Sequence, residues 1–315
     1  MIFATVRPTL KRVALIPGSR DGQVASTAFC ILRSVPEKLN NQFLYYSLLT
    51  EDFTARMENL QRGASYPAVS DGNILEQEIL LPPLPEQQAI AGVLSKLQEA
   101  VETRDKIIAT LKELKAATLA KLFREGLRGE PLKETEIGEI PESWEVVPLK
   151  EVVELQRGFD LPSRLRKAGN VPVVSSSGVT GTHESAMVKG PGVVTGRYGT
   201  LGQVFYVEED FWPLNTTLFA KDFKGNNPLF VSYLLQTLQM GDHNDKSAVP
   251  GVNRNSLHII PVGKPSIEEQ IAIGASLRAI EMRISLTEAE RDLANRLFAS
   301  MLHLLMTGEL RVNLQ

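Results

Sequence analysis

Pro82-Pro83-Leu84-Pro85-Glu86-Gln87-Gln88-Ala89-Ile90 decides the fold, because the chain repeats it as Pro265-Ser266-Ile267-Glu268-Glu269-Gln270-Ile271-Ala272-Ile273. The offset is 183 residues, and the same register pairs Leu127-Arg128 with Leu310-Arg311. Solenoid proteins repeat units of about 20–50 residues, so this period is too long for a solenoid. It indicates a duplicated module and predicts two similar halves in one chain.

A long helix is predicted to follow each copy of this Glu-Gln motif. Over residues 86–124 apolar side chains recur at spacings of three and four, with one gap of seven that skips Arg104, and residues 268–306 repeat the pattern. Narrow stripes of this kind are typical of coiled coils, and each helix would be about 58 Å long. Residues 266–269 fit a capping box and Pro85 suits a first helical turn, so the motif is interpreted as a helix cap. We expect the two helices to pair as an antiparallel coiled coil.

The remaining sequence predicts an α+β protein with two domains separated by these helices. Residues 142–264 contain short β-type runs divided by Gly, Pro, Ser and Asn turns, with a short helix near residues 230–238. The predicted division is a partial first domain (1–81), the first spacer helix (82–128), a linker (129–141), the second domain (142–264), and the second spacer helix with the C-terminal tail (265–315).

The first domain is expected to lack its front part. Val6–Val13 matches Arg197–Val204 at an offset of 191 residues, and Phe43–Tyr46 matches Phe230–Tyr233. Met1 then corresponds to about Gly192, some fifty residues into the second domain. This comparison predicts an N-terminal truncation rather than a circular permutation.

Composition argues against several classes of protein. Cys30 is the only cysteine, which excludes disulfides within the chain and favours a cytoplasmic location. No run approaches the roughly 20 apolar residues of a membrane span. His183, His243, His258 and His303 lack metal-ligand spacing, and no Gly-Lys-Ser/Thr phosphate loop occurs. We therefore expect a non-catalytic chain without a metal or cofactor of its own.

Local charge favours a DNA partner, although the net charge is −3. Residues 1–20 contain four basic side chains and no acid, and residues 161–207 contain five basic side chains and one acid, Glu184. Loop cations bind phosphates, and arginine bound to guanine is the commonest base-specific contact. Arg197 and Tyr198, in a glycine-flanked turn, are the best candidates. The other candidate DNA-binding residues are Arg164, Arg166, Lys167, Lys189, Lys246 and Arg254 in the second domain and Arg7, Lys11, Arg12 and Arg62 in the first. The alternative for each is an exposed, solubilising charge.

These features together resemble the DNA-specificity subunit of type I restriction-modification enzymes. The resemblance covers essentially the whole chain and is carried by the two Glu-Gln motifs, by Ile137–Val146 and by Gly196–Gly202. It implies two target-recognition domains that each read one part of a split double-stranded DNA sequence. It also implies helices that act as a spacer and bind methyltransferase subunits. S-adenosylmethionine, ATP and Mg would then belong to the partner methyltransferase and restriction/translocase subunits.

Three other interpretations remain open at this point. The chain could be a relic or assembly-only subunit that binds the methyltransferase and reads at most one half-site. The start codon could be misassigned, or another chain could supply the front of the first domain. A stand-alone enzyme is the alternative from a different class.

Overall fold

The structure is a computed structural model that describes residues 1–20, 22–238 and 251–312. It separates into two compact units. The first unit comprises Met1–Ala109 and Ser285–Gln315, and the second comprises Thr110–Ile284. Each of the two long helices therefore contributes one part to each unit.

Secondary structure alternates short elements with the two long helices. The helices are α1 Asn41–Ser47, α2 Glu51–Leu60, α3 Asp71–Leu75, α4 Leu84–Glu125, α5 Leu149–Val152, α6 Pro228–Thr237, α7 Arg254–His258 and α8 Ile267–Thr307. The strands are β1 Ile2–Ala4, β2 Val13–Ala14, β3 Phe29–Ile31, β4 Leu132–Thr135, β5 Gly138–Pro141, β6 Glu145–Pro148, β7 Glu154–Arg157, β8 Val171–Ser175, β9 Gly178–His183, β10 Gly192–Gly196, β11 Val204–Val207, β12 Trp212–Pro213, β13 Thr217–Asp222 and β14 Pro261–Lys264. The predicted α+β class and both long helices are confirmed.

The first unit contains a three-stranded antiparallel sheet that repeats most of a sheet in the second unit. The orders are β2-β1-β3 and β11-β10-β13-β7. Phe3 lies opposite Cys30 of β3 as Thr195 lies opposite Leu218 of β13. The second unit adds β7 beside β13, whereas no strand pairs with the outer edge of β3 among the described residues of the first unit. The first sheet is thus one strand smaller.

The second unit also holds structure that the sequence did not predict. Strands β4 and β5 form an antiparallel hairpin within residues 129–141, which were predicted to be a linker. A further sheet has the order β12-β8-β9. A buried cluster that includes Val174, Val194, Phe211 and Phe219 contains residues of both β8 and β10, so the two sheets share one core.

The predicted stripes of α4 and α8 are only partly correct. Their ends are buried, as at Ile90, Leu122 and Ile273. Leu114 and Leu297, however, are 49% and 48% exposed, although both were placed in the stripes. These two leucines occupy equivalent positions of the duplication, so the exception itself is duplicated.

Charged and polar side chains replace leucine at the inward positions. In the second unit Lys115 Nζ lies 2.6 Å from Glu281 Oε1 and 5.8 Å from the centre of the Tyr233 ring. In the first unit Arg104, which fills the gap in the stripe, lies 3.4 Å from Glu290. In the first unit Glu86 contacts Arg311 and Arg104 contacts Glu290. In the second unit Lys115 contacts Glu281 and Leu127 contacts Glu269. Within each unit a later position along α4 thus meets an earlier position along α8, so the helices run antiparallel. The antiparallel pairing is confirmed.

The Glu-Gln motif does more than cap a helix. Ser266 Oγ accepts from Glu269 N at 3.4 Å, as the predicted cap of α8 requires, but the glutamate side chains bind elsewhere. Buried Glu86 accepts from Arg311 Nε at 2.5 Å and Nη2 at 2.7 Å, and this hydrogen bonding holds the pKa of Glu86 below its ordinary value. In the second unit Glu269 accepts from Leu127 N at 2.9 Å, and Arg128 Nε lies 3.5 Å from it. Each glutamate therefore binds the segment that follows the opposite helix.

The glutamine of each motif holds a short helix of its domain against the long helix. Gln87 Oε1 accepts from the backbone N of Asn40, whose side chain caps α1. Gln270 Oε1 accepts in the same way from Asn227, which caps α6. The amide N of each glutamine also donates to carbonyl oxygens at equivalent positions of the duplication. Gln270, for example, donates to Pro265 O at 3.0 Å. The glutamine of each motif therefore fixes the short helix of its domain to the long helix.

Candidate nucleic-acid interface

The best candidate pair, Arg197 and Tyr198, lies in the loop that follows β10. Their backbone N atoms donate to Thr216 O at 2.9 and 3.2 Å, and Arg197 O accepts from Val252 N at 2.9 Å. The Arg197 guanidinium lies 4.6 Å from the centre of the Tyr198 ring. Such stacking orients the planar guanidinium while leaving its N–H groups available in its own plane. This loop therefore presents a forked donor on a fixed backbone.

Two glycines allow the loop to take this path. A Cβ added at Gly251 would lie 2.3 Å from Tyr198 Cε1, so a side chain there would displace the ring. Gly199 has a φ of +81°, in the left-handed region where glycine carries little steric cost. Gly199 thus belongs to the glycine-flanked turn that the sequence predicted, whereas Gly251 comes from a distant segment of the chain.

Arg166 lies beside the β8–β9 hairpin, which also borders the Arg197 loop. Its Nη1 donates to Thr180 O at 3.0 Å. At the turn of the hairpin, Ser176 Oγ lies 3.3 Å from the Cβ that an alanine would add at Gly199. The hairpin therefore contacts both candidate segments. Arg164, in the short 3-10 turn Ser163–Leu165, is exposed next to them.

Lys167 is less available than the sequence indicated. Its Nζ lies 2.7 Å from Glu184 Oε1, and that hydrogen bond raises the pKa of Lys167. Its backbone N donates to His183 Nδ1 at 3.0 Å. His183, at the end of β9, is buried and packs against the Trp212 ring. His183 thus has a structural role beside the candidate site.

The remaining second-domain candidates divide into one near residue and one distant residue. Arg254 is exposed at the start of α7, two residues after Val252, which binds the Arg197 backbone. Lys189 precedes β10, and its neighbour Gly190 donates to Asp210. Seven residues separate Lys189 from Arg197, and the five of them that form β10 alone span about 16 Å. Lys246 lies outside the described residues.

The first domain carries a matching loop after β1. Arg7 and Lys11 flank the turn Pro8–Leu10 with φ values of 51° and 50°. The corresponding loop of the second domain has glycines with positive φ, Gly199 and Gly202. The Arg7 guanidinium lies 5.5 Å from the centre of the Tyr66 ring. Both domains thus place an arginine near a tyrosine in the loop after this strand, although the positions differ. Val6 bridges Ala68 as Tyr198 bridges Gly251, so Arg7 is equivalent to Gly199 rather than to Arg197, one residue away from the alignment expected from sequence.

The other first-domain candidates have different surroundings. Arg62 is exposed and forms a two-way backbone bridge with Ala68, which also bridges Val6, so Arg62 lies close to the Arg7 loop. Arg12 is exposed. Lys11 Nζ is bound to Glu51 at 2.6 Å. The sequence analysis missed Tyr66. The signal for it is its place just before Pro67-Ala68-Val69, which matches Pro250-Gly251-Val252 at the offset of 183 residues.

Neither a metal-binding cluster nor a membrane-spanning helix occurs in the part of the chain that the structure describes. There, no group of three or more His, Cys, Asp or Glu side chains could hold a metal ion. None of the described helices is both long and apolar enough to cross a membrane.

Comparisons with known proteins agree with this architecture. The family model of the type I restriction modification DNA specificity domain matches residues 2–113 and 141–296. The type I restriction enzyme MjaVIII specificity subunit of Methanocaldococcus jannaschii is 28% identical, over 94% of this chain and 78% of that protein. The crystal structure of an S subunit from M. genitalium shares the fold with a TM-score of 0.65 and 20% identity, over 89% of this chain and 75% of that chain. The chain belongs to the family of type I restriction-modification DNA specificity subunits.

Proposed function

We propose that this chain selects a bipartite double-stranded DNA target and holds methyltransferase and restriction subunits around it in the cytoplasm. Membership of a DNA-specificity family makes the chain the non-catalytic subunit of a type I restriction-modification system. In this proposal the partner subunits bind S-adenosylmethionine, ATP and Mg. This chain supplies the choice of sequence and the points of assembly.

One observation carries the proposal for DNA reading. After the equivalent strands β1 and β10, each domain presents a loop in which an arginine stacks on a tyrosine, Arg7 on Tyr66 and Arg197 on Tyr198. A preorganised guanidinium suits bidentate recognition of guanine, and nearby cations suit phosphate contacts. We assign base reading to Arg197 and phosphate contacts to Arg164, Arg166 and Arg254. Lys167, Lys189 and Lys246 are assigned weaker phosphate contacts.

Arg197→Ala is expected to weaken binding to the selected DNA site by about 5-fold to 150-fold, because one bidentate base contact is worth about 1–3 kcal/mol. Arg197→Lys should recover little of the loss, since lysine keeps the charge but not the fork. The measurement is a gel-shift titration of the complex with methyltransferase subunits, on a duplex selected from a random pool. Lys221→Ala serves as the control. It removes the same charge from the end of β13 that lies away from the Arg197 loop. Equal losses for Arg197→Ala and Lys221→Ala would contradict base reading by Arg197.

A second candidate, a subunit that assembles but reads one half-site, is favoured by one contrast. Ile31 in β3 is 56% exposed, whereas the equivalent Phe219 in β13 is 4% exposed within its core. In the first unit the described residues therefore leave open a sheet face that the second unit covers. Arg7→Ala separates the candidates, because it weakens specific binding only if the first domain reads DNA.

The assembly role is proposed to involve the exposed leucines of the long helices. Leu114 and Leu297 occupy equivalent positions and are half exposed, as a repeated contact for two copies of one partner would require. Leu114→Glu combined with Leu297→Glu is expected to reduce co-purification of the methyltransferase subunit about tenfold or more, since burying each leucine is worth about 1.5–3 kcal/mol. Ala116→Glu with Asn295→Glu, at exposed neutral positions of the same two helices, is the matched control because it adds the same two negative charges. If both double variants retain the methyltransferase equally, these leucines are not the contact.

A further inference from the structure

The loop that carries Arg197 is held by the turn that leads into β13. Arg197 N donates to Thr216 O of this turn at 2.9 Å. Thr217 closes the turn, because its backbone N and its hydroxyl donate to Leu214 O at 2.9 and 2.7 Å. Asn215, inside the turn, is partly exposed, and the sequence analysis did not single it out. It adjoins the residue that binds the Arg197 loop.

A second segment of the same unit, which follows β7, is bound to this turn. Phe159 N donates to Pro213 O at 2.8 Å, and Asn215 N donates to Phe159 O at 3.0 Å. The close approach requires Gly158, because a Cβ added there would lie 2.2 Å from Leu214 O. The strands β7 and β13, from which the two segments extend, are neighbours in one sheet. The backbone of Asn215 is therefore fixed by the sheet.

The side chain of Asn215 is oriented by Asp160. Its amide N donates to Asp160 Oδ1, and Arg157 Nη2 lies 3.4 Å from the same oxygen and offsets its charge. Because a carboxylate only accepts hydrogen bonds, this contact fixes which end of the amide faces Asp160. The second hydrogen of the amide N remains available, and no described residue donates to Asn215 Oδ1. One donor and one acceptor of the same amide are thus left for a ligand.

We propose that Asn215 is a second base-reading residue of the second domain and that it recognises an adenine. An asparagine amide matches adenine in the major groove, where it donates to N7 and accepts from N6. Asp160 holds the amide in one orientation, as the Tyr198 ring orients the guanidinium of Arg197. The inference rests on the proposed function, because it requires that the Arg197 loop meets DNA. The adenine and the base read by Arg197 then belong to one half-site.

The first domain has a different residue at the equivalent place. Thr5 N donates to Ala28 O at 2.8 Å, which repeats the bond that joins the Arg197 loop to its turn. Thr27, the residue before Ala28, therefore stands in the place of Asn215. A threonine has one hydroxyl and cannot make the two-point contact with adenine. The adenine preference is thus confined to one half-site, and the exposed Thr27 offers a matched control position.

The test is a selection from a random pool of duplexes by the complex of this chain with methyltransferase subunits, followed by gel-shift titration. The selected site is expected to contain an adenine whose replacement by guanine weakens binding about 5-fold to 150-fold, the value of one bidentate contact. Asn215→Ala should weaken binding to the adenine duplex by a similar factor and bind the adenine and guanine duplexes equally. Thr27→Ala should keep the wild-type preference at that base pair.

A second pair of variants tests the orientation of the amide at an exposed position. Asp160→Ala frees the Asn215 amide and should lower the preference for adenine over guanine about tenfold, the value of one hydrogen bond to a charged group. Asp160→Asn keeps an acceptor and should lower the preference less. Equal preferences in the wild type and Asp160→Ala would overturn the inference.

The remaining outcomes separate this inference from the proposed function. If Asn215 only supports the loop, Asn215→Ala weakens binding to both duplexes by the same factor and keeps the adenine preference, which overturns the inference. If a site is selected and only Arg197→Ala alters its base preferences, DNA reading by the domain stands and the inference about Asn215 fails. If no site is selected, the proposed function fails, and the inference fails with it.

Discussion

Gln87→Glu is expected to destabilise the first unit by about 2–4 kcal/mol, whereas Gln88→Glu should change its stability by less than about 0.5 kcal/mol. Gln87 is fully buried, and its amide N donates to Lys38 O at 3.0 Å and Pro82 O at 2.8 Å. Glutamate has the same shape but turns both donors into an acceptor that faces two carbonyl oxygens. Gln88, the next residue of α4, is exposed and controls for the added charge.

Hydrogen exchange followed by mass spectrometry in increasing urea measures this effect for each unit separately. A single unfolding free energy would not serve, since a chain with two units need not unfold in one step. Gln270→Glu should act in the same way on the second unit, because Gln270 donates to Asn226 Oδ1 and Pro265 O. Similar losses for Gln87→Glu and Gln88→Glu would show that the buried amide is not what holds α1 to the long helix.

Trp144→Ala is expected to destabilise the second unit by about 3–5 kcal/mol, the usual cost of removing a large aromatic side chain from a core. Trp144 is among the largest fully buried side chains and belongs to the main cluster of this unit. Its indole N also donates to Glu269 at 3.3 Å, so the substitution removes a partner of a buried carboxylate. The same exchange measurement should show the loss in the second unit.

A double-mutant cycle with Gly263 tests the cause. Gly263→Ala alone should cost about 1–3 kcal/mol, because its methyl group would meet the Trp144 ring at 2.8 Å. In the Trp144→Ala background the same methyl group meets no ring, so the added cost should fall to near zero. Additive losses would mean that the two residues do not pack against each other as described.

The parts of the fold that were predictable from sequence are those with a repeated pattern. Two copies of the Glu-Gln motif and two apolar stripes predicted helices that end within a few residues of the bounds found. The stripes went wrong at Leu114 because the inward position is taken by Lys115, whose ammonium is satisfied by Glu281 and the Tyr233 ring. The spacing of apolar residues alone does not reveal such a partner, because the partner lies in a distant part of the sequence.

The sequence predicted the loop of the candidate site but not the contacts that its side chains make. Glycines near Arg197 indicated a turn, yet the stacking on Tyr198 depends on Gly251, more than fifty residues away. Lys167 looked like a free cation because its partner Glu184 lies across a hairpin. Likewise, the role of Gln87 depends on Asn40, whose capping of α1 cannot be read from the motif itself.

The left-handed backbone of Arg7 and Lys11 has an evolutionary consequence. Each position costs about 1 kcal/mol or more that a glycine would not, and the other loop of the same chain has glycine there. Random drift under selection for folding alone would therefore replace these two side chains by glycine. Among close relatives, persistent basic residues at both positions would record selection for their charge, and glycine at both would mark a first domain released from reading DNA.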